Sequence, residues 1–165
     1  MGLKRDPQLA GLAAEKGVPL ILMSNQRDKG GYDAGVRRDT AYYGDVMAEV
    51  ISSLRNSLDL ALRLGVPEEN IILDPGMGFG KTWRQELEII RRLDELKQLG
   101  RPILIGSSRK SFIGLVLDLP VDQRVEGTAA TIAIGIANGA DMVRVHDVKQ
   151  MVRVCQMSDA IVRSF

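Results

Sequence analysis

Apolar residues along this chain follow two alternating patterns. Short continuous runs occupy Val18–Met23, Asn70–Asp74, Pro102–Gly106 and Met142–His146. Between them lie longer stretches with an apolar residue every three or four positions. The short runs predict strands buried on both faces, as in a parallel sheet covered by helices. The longer stretches predict those helices. Pro7–Lys16 puts Leu9, Leu12 and Ala13 on one face and stops at Gly17. Thr40–Leu64 carries Val46, Val50, Leu54, Leu58 and Leu62 at every fourth residue and stops at Gly65. Trp83–Leu99 is closed by Gly100, and Glu126–Asn138 by Gly139. Residues 107–118 mix a turn with a short helix, and Lys149–Arg163 is the last helix. Residues 25–39 are polar and glycine-containing, which predicts a long loop.

The order is therefore one helix followed by four βα units, with parallel strands. A doubly wound sheet and a barrel both fit that alternation. The polar residues narrow the choice. They gather where the apolar runs end, at Leu22-Met23, Leu73-Asp-Pro-Gly76, Gly106-Ser-Ser-Arg-Lys-Ser111 and Val143-Arg-Val-His146. Asp74, Lys110 and Arg144 fall about 35 residues apart, against roughly 31 per unit in a (β/α)₈ barrel of about 250 residues. One polar group per unit, always at a strand end, is how a barrel assembles an active site. The expectation is an α/β chain of parallel βα repeats forming half of a TIM barrel, with 1–165 as one partial domain.

Strand side chains alternate faces, so Arg144 and His146 point one way and Val143 and Val145 the other. Arginine offers a planar fork for phosphate and a flat cation for stacking. The pair reads as a site for a phosphorylated or flat heterocyclic ligand. A plain ion pair with Asp147 is the structural alternative. Asp74 follows Ile-Ile-Leu, where apolar walls make an unpaired carboxylate costly. Such a carboxylate can accept two parallel N–H bonds from an amino-pyrimidine edge. Gly76, Gly78 and Gly80 allow close backbone approach; a tight turn before a helix explains them equally well. Pro75 stands where a P-loop needs its first glycine, so Lys81 and Thr82 read as a helix entrance. Lys110 is a point charge for an oxygen or ring nitrogen, and Ser111 can hydrogen-bond a second substrate. Ser107 or Ser108 would serve as an N-cap. Met23 and Cys155, taken singly, read as packing.

Composition removes other classes. The chain has 165 residues, 45% hydrophobic and 26% charged, with a net charge of +1. No basic excess supports a nucleic-acid partner, and 4% aromatic residues leave little for base stacking. No apolar run reaches the ~18 residues of a membrane span. The N-terminus carries no apolar signal core. A single cysteine forms no intrachain disulfide and no metal cluster. A cytoplasmic location is the expectation.

Four runs together resemble the dihydropteroate synthases. They are Leu73-Asp-Pro-Gly-Met-Gly-Phe-Gly-Lys81, Gly106-Ser-Ser-Arg-Lys-Ser-Phe-Ile-Gly114, Gly127-Thr-Ala-Ala-Thr131 and Val143-Arg-Val-His-Asp-Val148. Related pterin-binding methyltransferases share the barrel, but would not be expected to show the Ser-Arg-Lys-Ser run. The resemblance implies a transferase of folate biosynthesis. It would join 6-hydroxymethyl-7,8-dihydropterin pyrophosphate to p-aminobenzoate, releasing diphosphate. Implied roles are Asp74 on the pterin edge and Lys110 between the pterin ring and p-aminobenzoate with Ser111. Arg144 would stack on the pterin and hold the diphosphate with His146. Met23, Gly78 and Phe79 would line the pterin pocket, and Arg109 belongs with the substrate-binding set. Lys110, Arg144 and His146 are the implied catalytic residues.

Magnesium is the implied cofactor, although this chain matches only the C-terminal part of the family. The asparagine that helps bind magnesium, and the aspartate and asparagine that complete the pterin grip, are absent. Ser24 stands where many members carry a histidine. The expectations are a piece of a longer enzyme, impaired alone, that associates with the missing half or forms a homo-oligomer. A non-catalytic pterin- or phosphate-binding fragment and a pterin-dependent methyltransferase are the alternatives.

Overall fold

The computed structural model describes Leu3, Asp6, residues 8–26 and residues 44–163. The expected long loop lies mostly outside these residues, as do Pro7 and the first residues of the expected Thr40–Leu64 helix. Six α-helices are described: α1 Gln8–Lys16, α2 Val46–Arg63, α3 Trp83–Arg91, α4 Ser111–Leu117, α5 Val125–Ala137 and α6 Val148–Val162. Four strands alternate with them: β1 Leu20–Met23, β2 Ile71–Asp74, β3 Leu104–Ile105 and β4 Met142–Val143.

All described pairings are parallel. β1 pairs with β2, with Met23 opposite Asp74. β3 pairs with β4, with Ile105 opposite Val143. A bridge between Leu73 and Ile103 links the two pairs. Leu73 N–H donates to the Pro102 carbonyl at 2.8 Å, which extends the link between the pairs. Strand order thus follows chain order.

Alternate residues separate two faces. Leu20, Leu22, Ile71, Leu73, Ile103 and Ile105 belong to the main apolar core, with α1, α2 and α3. Leu104 is buried but belongs to neither apolar cluster. On its face Ile21 is 49% exposed and Met142 41%. Among the described residues, helices cover one face of the sheet, and Ile21 and Met142 stay exposed on the other. The described strands are thus parallel, in chain order, and alternate with helices.

The first strand starts at Leu20 instead of Val18 and the third is only Leu104–Ile105, and three other boundary differences have a visible cause. The second helix starts at Val46, because the Asp45 side chain accepts from Met47 N–H at 2.9 Å and Ala48 N–H at 3.3 Å. That cap fixes Asp45 outside the helix. The expected Trp83–Leu99 helix ends at Arg91 and continues as a 3₁₀ segment over Leu93–Leu99. Asn138 causes the break to be tolerated: its amide donates to the Ile90 carbonyl at 2.8 Å and Arg91 carbonyl at 3.1 Å. The last strand is only Met142–Val143, because His146 N–H turns to the Ser108 hydroxyl at 3.1 Å.

Candidate functional site

At the end of β2, Asp74 is 4% exposed. Its Oδ1 accepts from Gly76 N–H at 2.7 Å, which orients the carboxylate within the turn. Burial pushes its pKa above the usual carboxylate value; the Gly76 N–H and the charges of Arg144, Lys81 and Lys110 act the other way. The three cations come from the ends of β4, β2 and β3. Three strand ends separated in sequence thus act on one buried carboxylate.

The glycine loop after Asp74 is tight. A Cβ on Gly76 would lie 2.0 Å from the Ser24 carbonyl oxygen and 3.2 Å from Met23 Cγ, at a φ of +73° that favours glycine. A Cβ on Gly78 would meet Lys110 Nζ at 3.1 Å. Lys110 Nζ also lies 5.1 Å from the centre of the Phe79 ring. Met23, Asp74, Gly78, Phe79 and Lys110 are therefore brought together.

The Ser107–Lys110 loop takes its shape from α5. Thr128 Oγ1 accepts from Arg109 N–H at 3.0 Å and donates to the Arg124 carbonyl at 2.8 Å. Ser107 Oγ and Thr131 Oγ1 are 2.9 Å apart. Arg124 donates to the carbonyls of Arg109 and Leu119, each at 3.0 Å. These bonds account for Thr128 and Thr131 in the Gly127-Thr-Ala-Ala-Thr131 run. They hold Arg109 at φ +55°, a costly value for a side-chain-bearing residue.

Arg109 binds Asp147 through both Nε and Nη2, the Nε bond at 2.9 Å. Hydrogen bonding to Asp147 raises the arginine pKa, and the same bond lowers that of Asp147. The structural alternative for Arg144 and His146 is thus not formed: Asp147 takes Arg109. Arg109's fork is committed to this pair. Neither Ser107 nor Ser108 is an N-cap; Lys110 holds that place at α4 without a side-chain cap. Both hydroxyls are used elsewhere, Ser108 Oγ lying 3.0 Å from His146 Nδ1. Ser108 Oγ accepts from His146 N–H, and a donation from the same hydroxyl to Nδ1 would place the ring proton on Nε2.

Arg144 lies against Gly106, where a Cβ would stand 3.3 Å from Nη2. Glycine there leaves room for the guanidinium to lie flat across the strand end. Arg144, His146 and Ser111 are all exposed. The site thus presents one buried carboxylate, a lysine and an arginine, with a histidine and a serine at the rim. That set can hold a flat ring with a donor edge beside an anionic group.

Sequence reading missed two buried charges. Lys81, expected only to open a helix, donates to the carbonyls of Gly76 at 2.9 Å, Ser24 at 3.1 Å and Phe79 at 3.5 Å. Burial lowers its pKa to about 8, against Glu86 and Asp74. Thr82 does open α3, in a capping box with Gln85. Glu86 accepts from Gly78 N–H. Its other oxygen, Oε2, is buried without a hydrogen bond. The available signal was a glutamate in the apolar stripe that includes Ile89, Ile90 and Leu93. Cys155 packs beside Ile132, Ile136 and Met151, and burial raises its thiol pKa.

Residues 1–146 match the family profile of the pterin binding enzymes. The chain belongs to the pterin binding enzyme family. It is 45% identical to the dihydropteroate synthase of Bacillus subtilis, covering 97% of this chain and 52% of that protein. With the dihydropteroate synthase of Clostridium beijerinckii it shares 47% over 98% of this chain and 56% of the relative. Among solved structures, the dihydropteroate synthase of Clostridium difficile in the presence of pteroic acid superposes with a TM-score of 0.86. It is 42% identical, over 99% of this chain and 58% of that one. A Yersinia pestis dihydropteroate synthase with a pterine-sulfa conjugate gives 0.85 at 31% identity, over 98% and 58%. This pterin binding enzyme chain spans about half the length of the curated relatives it matches.

Proposed function

We propose that this chain is the C-terminal half of a (β/α)₈ barrel in a dihydropteroate synthase. The observation that carries the reading is the convergence of Lys110 and Arg144, from two separate strand ends, on the buried Asp74 carboxylate. The relatives' activity supports it. Neither a methyltransferase nor a non-catalytic module is favoured beside it.

Asp74 keeps lone pairs beyond the one used by Gly76, and these accept the two N–H groups of an amino-pyrimidine edge. Arg144 stacks on the pterin ring and, with His146 Nε2–H, faces the diphosphate. Lys110 lies between the ring site and the p-aminobenzoate site at Ser111. In the reaction the C–O bond to diphosphate breaks as the amine nitrogen bonds to the methylene carbon. The amine then gives up a proton to solvent. The residues contribute positioning and stabilisation of charge on the leaving group. No side-chain nucleophile is needed. Arg109 acts through the loop it shapes, paired to Asp147.

The resemblance implies magnesium. Among the described residues no group of three or more His, Cys, Asp or Glu side chains could hold a metal ion. No step is routed through that ion. No described helix is long and apolar enough to cross a membrane.

Titration with 6-hydroxymethylpterin tests the reading. Wild type binds, and Asp74→Ala weakens binding at least tenfold. No wild-type binding at millimolar pterin refutes the reading for this chain. The isolated chain is expected to bind better than it turns over p-aminobenzoate, because the barrel's other strands complete the pocket.

A further inference from the structure

We propose that Lys81 is a positioning residue, whose buried ammonium ties the loop after β1 to the glycine loop after β2 and so shapes the pterin floor. The inference rests on the pterin reading above. An ammonium has three protons, and Lys81 Nζ faces three main-chain carbonyls, of Ser24, Gly76 and Phe79. Ser24 lies more than 50 residues before the other two. The two loops are pressed so closely that a Cβ on Gly76 would overlap the Ser24 carbonyl. Carbonyl oxygens converging on one dry point repel unless a cation sits between them.

The charges of Glu86 and Asp74 act on Lys81, but its donors are placed elsewhere. Lys81 forms no salt bridge with Glu86 or Asp74; it spends its donors on the backbone. The link to the site is direct. Gly76 gives its carbonyl to Lys81 and its N–H to the Asp74 carboxylate. Glu86 holds Gly78 N–H from α3, at the residue against which Lys110 lies. Two buried charges thus grip the glycine loop behind the two residues that face the ligand.

Lys81→Met keeps the length of the side chain and removes the donors. Hydrogen exchange and 6-hydroxymethylpterin titration are measured on the full chain. The expected result is at least tenfold faster exchange in residues 24–26 and 76–80, with α2 unchanged, and at least tenfold weaker pterin binding. Leu54→Ala, in the α2 core, is the stability control: it lowers Tm and leaves pterin affinity within twofold. If Lys81→Met does not fold, Lys81→Gln, which retains one donor group, carries the same test with smaller changes. Unchanged exchange in both loops overturns the clamp. Affinity that falls only as far as in Leu54→Ala overturns the positioning role. A wild-type chain that binds no pterin refutes the pterin reading and this inference's ligand half, while the exchange data still decide the clamp.

Discussion

Glu86 is 2% exposed, and burial lifts its pKa to about 7, against the Gly78 N–H and the charges of Lys81 and Lys110. An unfolded glutamate titrates near 4.5. Between those values the folded chain holds a proton that the unfolded chain has lost. The stability this group contributes is complete below pH 4.5 and is lost as pH rises through 7. Lys81 runs the other way. Its pKa falls from 10.5 to about 8, so its contribution is present above 10.5 and lost as pH falls through 8. Together they place a local stability minimum near pH 7 to 8. Glu86→Gln retains an acceptor for Gly78 and removes the titration. Thermal unfolding from pH 4.5 to 7 should then show a flatter decline, by at most about 3 kcal/mol. An unchanged slope in the variant would assign the decline to other groups. Asp74, Lys110, Arg144 and His146 stand out in the sequence as candidates because each lies at or just after the end of an apolar run. The roles of Lys81 and Glu86 do not, because burial of a charge depends on partners that spacing along the chain does not display.

The element that shapes the Ser107–Lys110 loop is α5. Thr128 presents one hydroxyl to two backbone groups, Arg109 N–H and the Arg124 carbonyl. Thr128→Val is nearly isosteric and leaves the half-buried Arg109 N–H without its acceptor. An unsatisfied buried donor costs about 1–3 kcal/mol. Denaturant unfolding should show a loss in that range, accompanied by weaker pterin binding through Lys110. A loss below about 0.5 kcal/mol would mean that the Arg124 bonds alone hold the loop. Alternation of βα units, and the glycines that end the helices, were legible because period and turn chemistry are local. The break at Arg91 was not: it depends on Asn138, nearly fifty residues away, capping Ile90 and Arg91. The short β4 likewise follows from Ser108, which captures His146 N–H from another loop.

For the whole molecule, the open face and edges set the behaviour. Among the described residues β1 and β4 are each paired on one side only. Unpaired edges recruit other strands. Ile21 and Met142 expose apolar surface on the uncovered sheet face. On the helix side, Val148 and Val152 of α6 are exposed as well, beside a cleft that Val143 and Val145 also line. On the proposed half-barrel reading, four parallel strands supply half of an eight-stranded wall, and closure would remove both edges. The expected outcome for the isolated chain is therefore self-association. Size-exclusion chromatography with light scattering should give a mass above the 18.1 kDa of one chain. Supplying the remaining barrel strands as a second polypeptide should replace that species with a one-to-one complex, because the edges then have their proper partners. The same complex should gain p-aminobenzoate turnover relative to the chain alone. A stable, well-folded monomer of 18.1 kDa would show that the edges and the open face are tolerated in water.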